Sequence, residues 1–239
     1  MFLREFTYEG ISDLAVVFHD ELNPHLWQDN QLKPVVRMKL LEIADHFIKF
    51  INVPSIRLKD ITISGSNAAY TYTENSDIDL HLVVDIPFKQ EMYLKALFDA
   101  KKNQYNFNHD VQIKGIDVEV YVQPAKDTHH SAGIYSVLDN KWISEPQAVK
   151  VNINDTDVSN KVNNYLEKIR LALKSRNFDK AKSVLDGINK LRKSGLEREG
   201  EFSVENIAFK VLRAKGWINK LREHLYDLED MALSLENIQ

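Results

Sequence analysis

Apolar residues recur at Val36, Leu40, Ile43, Phe47 and Phe50, in steps of three and four. That spacing predicts a helix over 34–51, with Pro34 suited to its first turn. After 52–60 the period changes from helical to two. Ile61-Thr62-Ile63 reads as a strand, Gly65-Ser66 as a turn, and 67–76 as a ten-residue link. A second strand follows, in which Asp77, Asp79 and His81 take one face and Ile78, Leu80, Leu82 and Val84 the other. The link opens with helix-tolerant Asn67-Ala68-Ala69-Tyr70, which predicts a helix N-terminus at Ser66, and its second half is polar loop. Pro87-Phe88 closes the strand. Lys89 to Lys102 then reads as a helix with Met92, Leu94, Leu97 and Phe98 on or near one face, and 103–112 as a polar bridge. Gly115 to Gln123 (GIDVEVYVQ) reads as a strand that Pro124 ends. Ser131 to Pro146 reads as two short strands about an Asp139-Asn140 turn.

Beyond Pro146 the pattern is helical throughout. Val162, Leu166, Ile169 and Leu173 mark one helix, and Ala181, Leu185, Ile188 and Leu191 a second. The joints fall at 177–179 and at 192–201, the latter holding Gly195 and Gly200. One long final helix is expected after Ser203, which forms a partial capping box with Asn206. Its stripe is Ile207, Val211, Ala214, Ile218, Leu221, Leu225 and Leu228. The chain therefore reads as α+β: an N-terminal extension over 1–33, a sheet-containing core over 34–150 and an all-helical domain over 151–239. The extension carries a short apolar series (Phe6, Tyr8, Ile11, 14–18) and a polar group, His19, Asp20, Glu21 and His25, whose spacing matches no metal motif and reads as exposed loop.

Composition narrows the chemistry. With 239 residues, 44% hydrophobic and 28% charged, the chain is an ordinary globular one. The absence of cysteine excludes disulfides, thiolate metal ligands and thiol catalysis. No apolar run reaches the roughly 18 residues that span a bilayer, and the first residues do not form a signal peptide, so a cytoplasmic protein without a membrane is expected. Net charge is −4, unevenly spread: 158–222 holds 16 Lys plus Arg against 7 Asp plus Glu, and 1–157 holds 15 against 23. A basic helical region beside an acidic one suits a protein that handles polyanions, and equally a helical region with solvated charged faces. Lys210, Arg213, Lys215 and Arg222 sit off the final stripe, placed for triphosphate or nucleic acid.

The pair Asp77 and Asp79 carries the sharpest chemical signal. Two carboxylates side by side over an apolar floor repel each other, and a divalent cation is the simplest remedy. On the strand 115–123, alternation places Asp117 and Glu119 together on one face, so either can add a third carboxylate, with Glu119 the more central. His81 shares the aspartates' face, where packing beside the site is its expected part. Tyr70, Tyr72, Tyr135 and Trp142 read as core cover or as platforms for a base. His129 and His130 are better placed for contact with nucleotide or acceptor than for metal ligation.

The Gly-Ser turn, spacer and Asp-x-Asp strand, with a later acidic strand, resemble the signature of the DNA polymerase β-like nucleotidyltransferase superfamily. The whole chain looks like nucleotidyltransferase-like proteins of tailed phages, which would place it in a host cytoplasm. The resemblance implies a small mixed sheet flanked by helices, a nucleoside triphosphate substrate, ATP among the possibilities, and two Mg²⁺ (or Mn²⁺) ions. Asp77 and Asp79 would hold both ions, and Glu119 or Asp117 would join the one that binds the acceptor hydroxyl. Gly65, Ser66 and Ser76, with Lys210 and Arg213, would bind the nucleotide. The acceptor is left open, with RNA such as a tRNA 3′ end favoured by the basic region. The rivals are a non-catalytic nucleotide- or RNA-binding antitoxin or inhibitor of the same fold, and a metal-dependent sugar transferase, which gives Gly65-Ser66 no role.

Overall fold

A computed structural model of the chain describes residues 10–54, 56–87, 91–127, 131–148 and 150–234. The chain divides into two compact units, one from Phe18–Lys150 and one from Met1–Val17 together with Val151–Gln239.

In the first unit a small hairpin, β1 (Trp27–Gln28) and β2 (Gln31–Leu32), precedes the predicted helix α1 (Pro34–Ile51). Asp29 and Asn30 both hold positive φ at its tip, the conformation a two-residue hairpin loop demands. α1 buries Val36, Leu40, Ile43, Ala44, Phe47 and Ile51. Six further strands form one mixed sheet: β3 (Arg57–Ser64), β4 (Ile78–Asp85), β5 (Gln112–Ile113), β6 (Ile116–Pro124), β7 (Ile134–Ser136) and β8 (Lys141–Ser144). Their order is β5-β6-β4-β3-β7-β8. Only β4 and β6 pair parallel, and helix α2 (Glu91–Asn108) makes the crossover this requires.

Alternation along β4 sets its register. Ile78, Leu80, Leu82 and Val84 are all at most 1% exposed, each burial being worth roughly 1.5–3 kcal/mol. A slip of one residue would expose all four and drive Asp79 into the core.

α2 runs six residues past the expected end at Lys102, through what reads as a polar bridge. Tyr105 explains the extension: it is buried and its hydroxyl bonds His46 Nδ1 at 2.9 Å. Asn106 then caps the open edge of β6, donating to the Val120 carbonyl and accepting from its N–H. The buried stripe is Leu94, Phe98 and Tyr105; Met92 and Leu97, expected on that face, are exposed. The β5–β6 hairpin, also unexpected, turns on Lys114 and Gly115, both at positive φ.

The second unit holds a short 3-10 turn (Ile11–Leu14) and helices α3 (Asp155–Leu173), α4 (Phe178–Glu199), α5 (Val204–Ala214) and α6 (Trp217–Leu233). Side chains of Asn154, Asn177 and Ser203 cap α3, α4 and α5 by accepting first-turn N–H groups. Two expectations fail here. Residues 192–199 belong to α4, not to a joint, and Gly195 lies within it because a Cβ there would come 2.8 Å from Ser203 Oγ and 2.9 Å from Glu205 Cβ. The single final helix is two, broken at Lys215 and Gly216, where Gly216 takes a left-handed φ of 74°. Ala214, assigned to the stripe, is exposed at that break. No helix among the described residues is long and apolar enough to cross a membrane.

Candidate active site

The polar face of β4 and its neighbours carries the acidic residues. β4 begins one residue after Asp77, and the parallel register sets Asp79 directly across from Glu119 and His81 across from Tyr121. On the other side Ser64 lies across from Asp79 and Thr62 from His81. Adjacent strands run about 4.8 Å apart, so two carboxylates face each other over one strand gap with a third at the head of β4.

Tyr121 shows how closely these charges gather. Its hydroxyl donates to Glu119 Oε2. Burial, the negative charges of Asp79 and Glu119, the bond to Glu119 and the charge of Asp77 together push the phenol far above its ordinary range. Asp77, Asp79 and Glu119 therefore all bear on one hydroxyl. Asp117 stands apart: it is exposed and accepts from Gln112 Nε2 at 2.7 Å.

Gly65 forms the opposite wall. A Cβ on it would lie 2.1 Å from Asp79 Oδ2, so the aspartate packs where any larger residue would put its side chain. Its φ of 77° and ψ of −165° belong to a region held almost exclusively by glycine. Its N–H donates to Ser131 Oγ at 3.1 Å. The expected helix after Ser66 is a single 3-10 turn, Ser66–Ala68, too short to build a dipole for phosphate. Ser66 Oγ instead donates to Ser76 Oγ at 2.8 Å, and Ser76 Oγ also accepts the Thr73 N–H at 2.9 Å. The hydroxyls of the two predicted nucleotide-binding serines thus lie together.

Sequence reasoning passed over Asn67, the residue that binds this turn to the acidic strand. It is 1% exposed, and its amide donates to the carbonyls of Ser76 and Asp77, both at 2.9 Å, while its Oδ1 accepts from Asn23. Gly133 was also missed; a Cβ there would meet the Ala68 carbonyl at 1.9 Å. Tyr121 was legible in principle, since it shares the parity of Asp117 and Glu119.

The remaining residues have quieter places. His81 is buried, bonds Ser64 Oγ at 3.1 Å and stacks on Tyr121. Tyr72 stacks on His19 at 3.7 Å, Tyr70 packs against the core, and Tyr135 and Trp142 pack on Trp27. Asp20, Glu21 and His25 are exposed, as expected of a loop. His129 and His130 lie outside the described residues. Lys210 and Arg213 belong to α5 in the other unit, Arg213 exposed and Lys210 opposing with its charge the rise that burial imposes on the Glu201 carboxyl.

The donor set Asp77, Asp79 and Glu119 is all hard oxygen, the kind Mg²⁺ and Mn²⁺ take. Among the described residues no three His, Asp or Glu side chains are drawn together as a formed cage; Glu119 is bonded to Tyr121 instead. The residues fit such an ion in type, and the charges of all three bear on the Tyr121 hydroxyl.

No protein-family model matches the chain, and no curated protein matches it. Among solved structures, the STING-associated CdnE c-di-GMP synthase from Capnocytophaga granulosa aligns over 84% of this chain and 84% of its own, at 12% identity and a TM-score of 0.25. A likeness of that depth carries no argument about fold or activity.

Proposed function

We propose that the protein is a nucleotidyltransferase that moves a nucleoside monophosphate from a triphosphate to an acceptor hydroxyl. The observation that carries this reading is the register that puts Asp79 across from Glu119, with Gly65 against Asp79 and the charge of Asp77 bearing on the Tyr121 hydroxyl beside them. Asp77, Asp79 and Glu119 hold two divalent ions in this reading, and Glu119 is preferred to Asp117, whose carboxylate is exposed and bonded to Gln112. When bound, the ions supply Lewis-acid activation of the acceptor hydroxyl and neutralise the departing pyrophosphate. Gly65 and Ser66 cradle the terminal phosphates in this reading, the Gly65 N–H exchanging Ser131 Oγ and the Ser66 hydroxyl exchanging Ser76 Oγ for a phosphate oxygen. The acceptor is taken to be nucleic acid, RNA first, on the strength of the basic stretch 158–222.

A second reading, a nucleotide- or RNA-binding module without catalysis, draws on the engagement of Glu119 by Tyr121 and of the Gly65 N–H by Ser131. One assay separates them: purified protein with Mg²⁺ or Mn²⁺, each α-labelled NTP in turn, and RNA, DNA or protein as acceptor. Label moves to one acceptor class with wild type, and the rate falls on the order of 10³-fold in Asp77→Ala and Asp79→Ala, since each removes metal contacts worth several kcal/mol. No label and no pyrophosphate, with equal nucleotide binding by all three proteins, would leave the binding module standing.

A further inference from the structure

We infer that Tyr121 is a positioning residue for the third carboxylate: its hydroxyl fixes one oxygen of Glu119 so that the other is presented to a divalent ion. This deepens the nucleotidyl-transfer reading and rests on it. Glu119 Oε2 accepts from Tyr121, which leaves the Oε1 of the same carboxylate as the atom to ligate an ion. The donor is itself held firmly. The ring of His81 stacks on Tyr121 with centroids 5.0 Å apart and planes 18° from parallel. His81 is anchored in turn by Ser64, and both are buried. The Lys102 ammonium sits 4.9 Å from the Tyr121 ring centroid. A phenol so packed has few rotamers to lose, and it places its proton where three negative charges meet.

A glutamate with three rotatable bonds gains most from such a partner. Without it, Glu119 swings away from Asp77 and Asp79 to lower the repulsion, and an arriving ion must bear the cost of gathering it. Hydrogen-bond partners of ligating carboxylates typically carry about 10–100-fold in metal affinity. Tyr121 also relieves the like-charge cluster by one donor without adding a cation that would compete with the metal.

The test is Mn²⁺ titration by calorimetry into the full-length protein, with no reaction involved. Tyr121→Phe keeps the ring and its stacking and weakens Mn²⁺ binding about 10–100-fold; in a Glu119→Gln background the same substitution adds no further loss. Tyr121→Phe is expected to keep the wild-type circular dichroism spectrum and melting temperature, which separates a loss of Mn²⁺ binding from a variant that folds poorly. Wild-type affinity in Tyr121→Phe overturns the inference, as does a loss undiminished in the Glu119→Gln background, while the transfer reading survives either result. If Mn²⁺ binds wild type and Asp77→Ala plus Asp79→Ala equally, the transfer reading falls and the inference with it.

Discussion

At Gly65 the backbone conformation and the neighbouring carboxylate make the same demand. Alanine there must bear both a glycine-only conformation, at about 1–3 kcal/mol, and a Cβ 2.1 Å from Asp79 Oδ2. Only movement of the aspartate relieves the second. Gly65→Ala is therefore expected to lower stability by about 1–3 kcal/mol in urea unfolding and also to weaken divalent-ion binding, because Asp79 is displaced. Asn67→Ala separates these effects: it leaves the Gly65 conformation intact but removes the donors to the Ser76 and Asp77 carbonyls. The carboxylates themselves are visible in the sequence because strand alternation is a local rule. Asn67 and Gly133 are not, because what makes them matter is a backbone brought in from a distant segment, and nothing about an asparagine or a glycine in a loop declares its partner.

The elements whose ends are set locally are the ones the pattern predicts. α1 begins at its proline and ends at Asn52 in the left-handed conformation, and β4 shows strict alternation. Where an end depends on a distant contact the prediction stops short, as in α2, which continues because Tyr105 reaches His46. The break between α5 and α6 hides in a stripe that keeps helical spacing across Gly216. The 3-10 turn at Ile11–Leu14 also depends on a distant partner, Asp155, whose Oδ2 and Oδ1 accept the N–H groups of Gly10 and Ser12 at 2.9 and 3.1 Å. Burial pulls the Asp155 carboxyl upward, but bonds from the Ser12 side chain and from the Ser12 and Gly10 backbones outweigh it and hold it below the usual carboxylate range. A carboxyl lowered on folding stabilises the folded state at pH above its unfolded value, and that contribution disappears as pH falls through the folded value. Amide exchange over 11–16 is expected to accelerate as pH drops through the acidic range, after correction for intrinsic rates. In Asp155→Asn it is fast at neutral pH already and loses that acid dependence.

Counted by compact unit instead of by stretch, the charges of the whole molecule look different. Phe18–Lys150 holds 18 acids and 14 bases, while the other unit holds 17 of each, because the acidic tail and the first residues offset the basic stretch. Any polyanion contact must then come from a local patch and not from the field of a basic domain. The same division makes a claim about folding. The hydrophobic cluster of the sheet-containing unit is drawn from Leu22 to Val137 alone, so the continuous segment 18–150 supplies its own core. The helical unit is discontinuous, and Ile11, Ala15 and Val16 from the start of the chain are buried, with the Ile11–Leu14 turn packed on α3 and α5. Expressed alone, 18–150 should melt cooperatively by circular dichroism. Removing residues 1–17 from the full chain should instead destabilise the helices by about 3–6 kcal/mol, the burial of one isoleucine and one valine, an upper estimate because the unfolded chain already buries some apolar surface. The expected record is two separable transitions, with only the helical one shifted downward by the deletion. A single transition, lowered as a whole, would mean that the units fold as one.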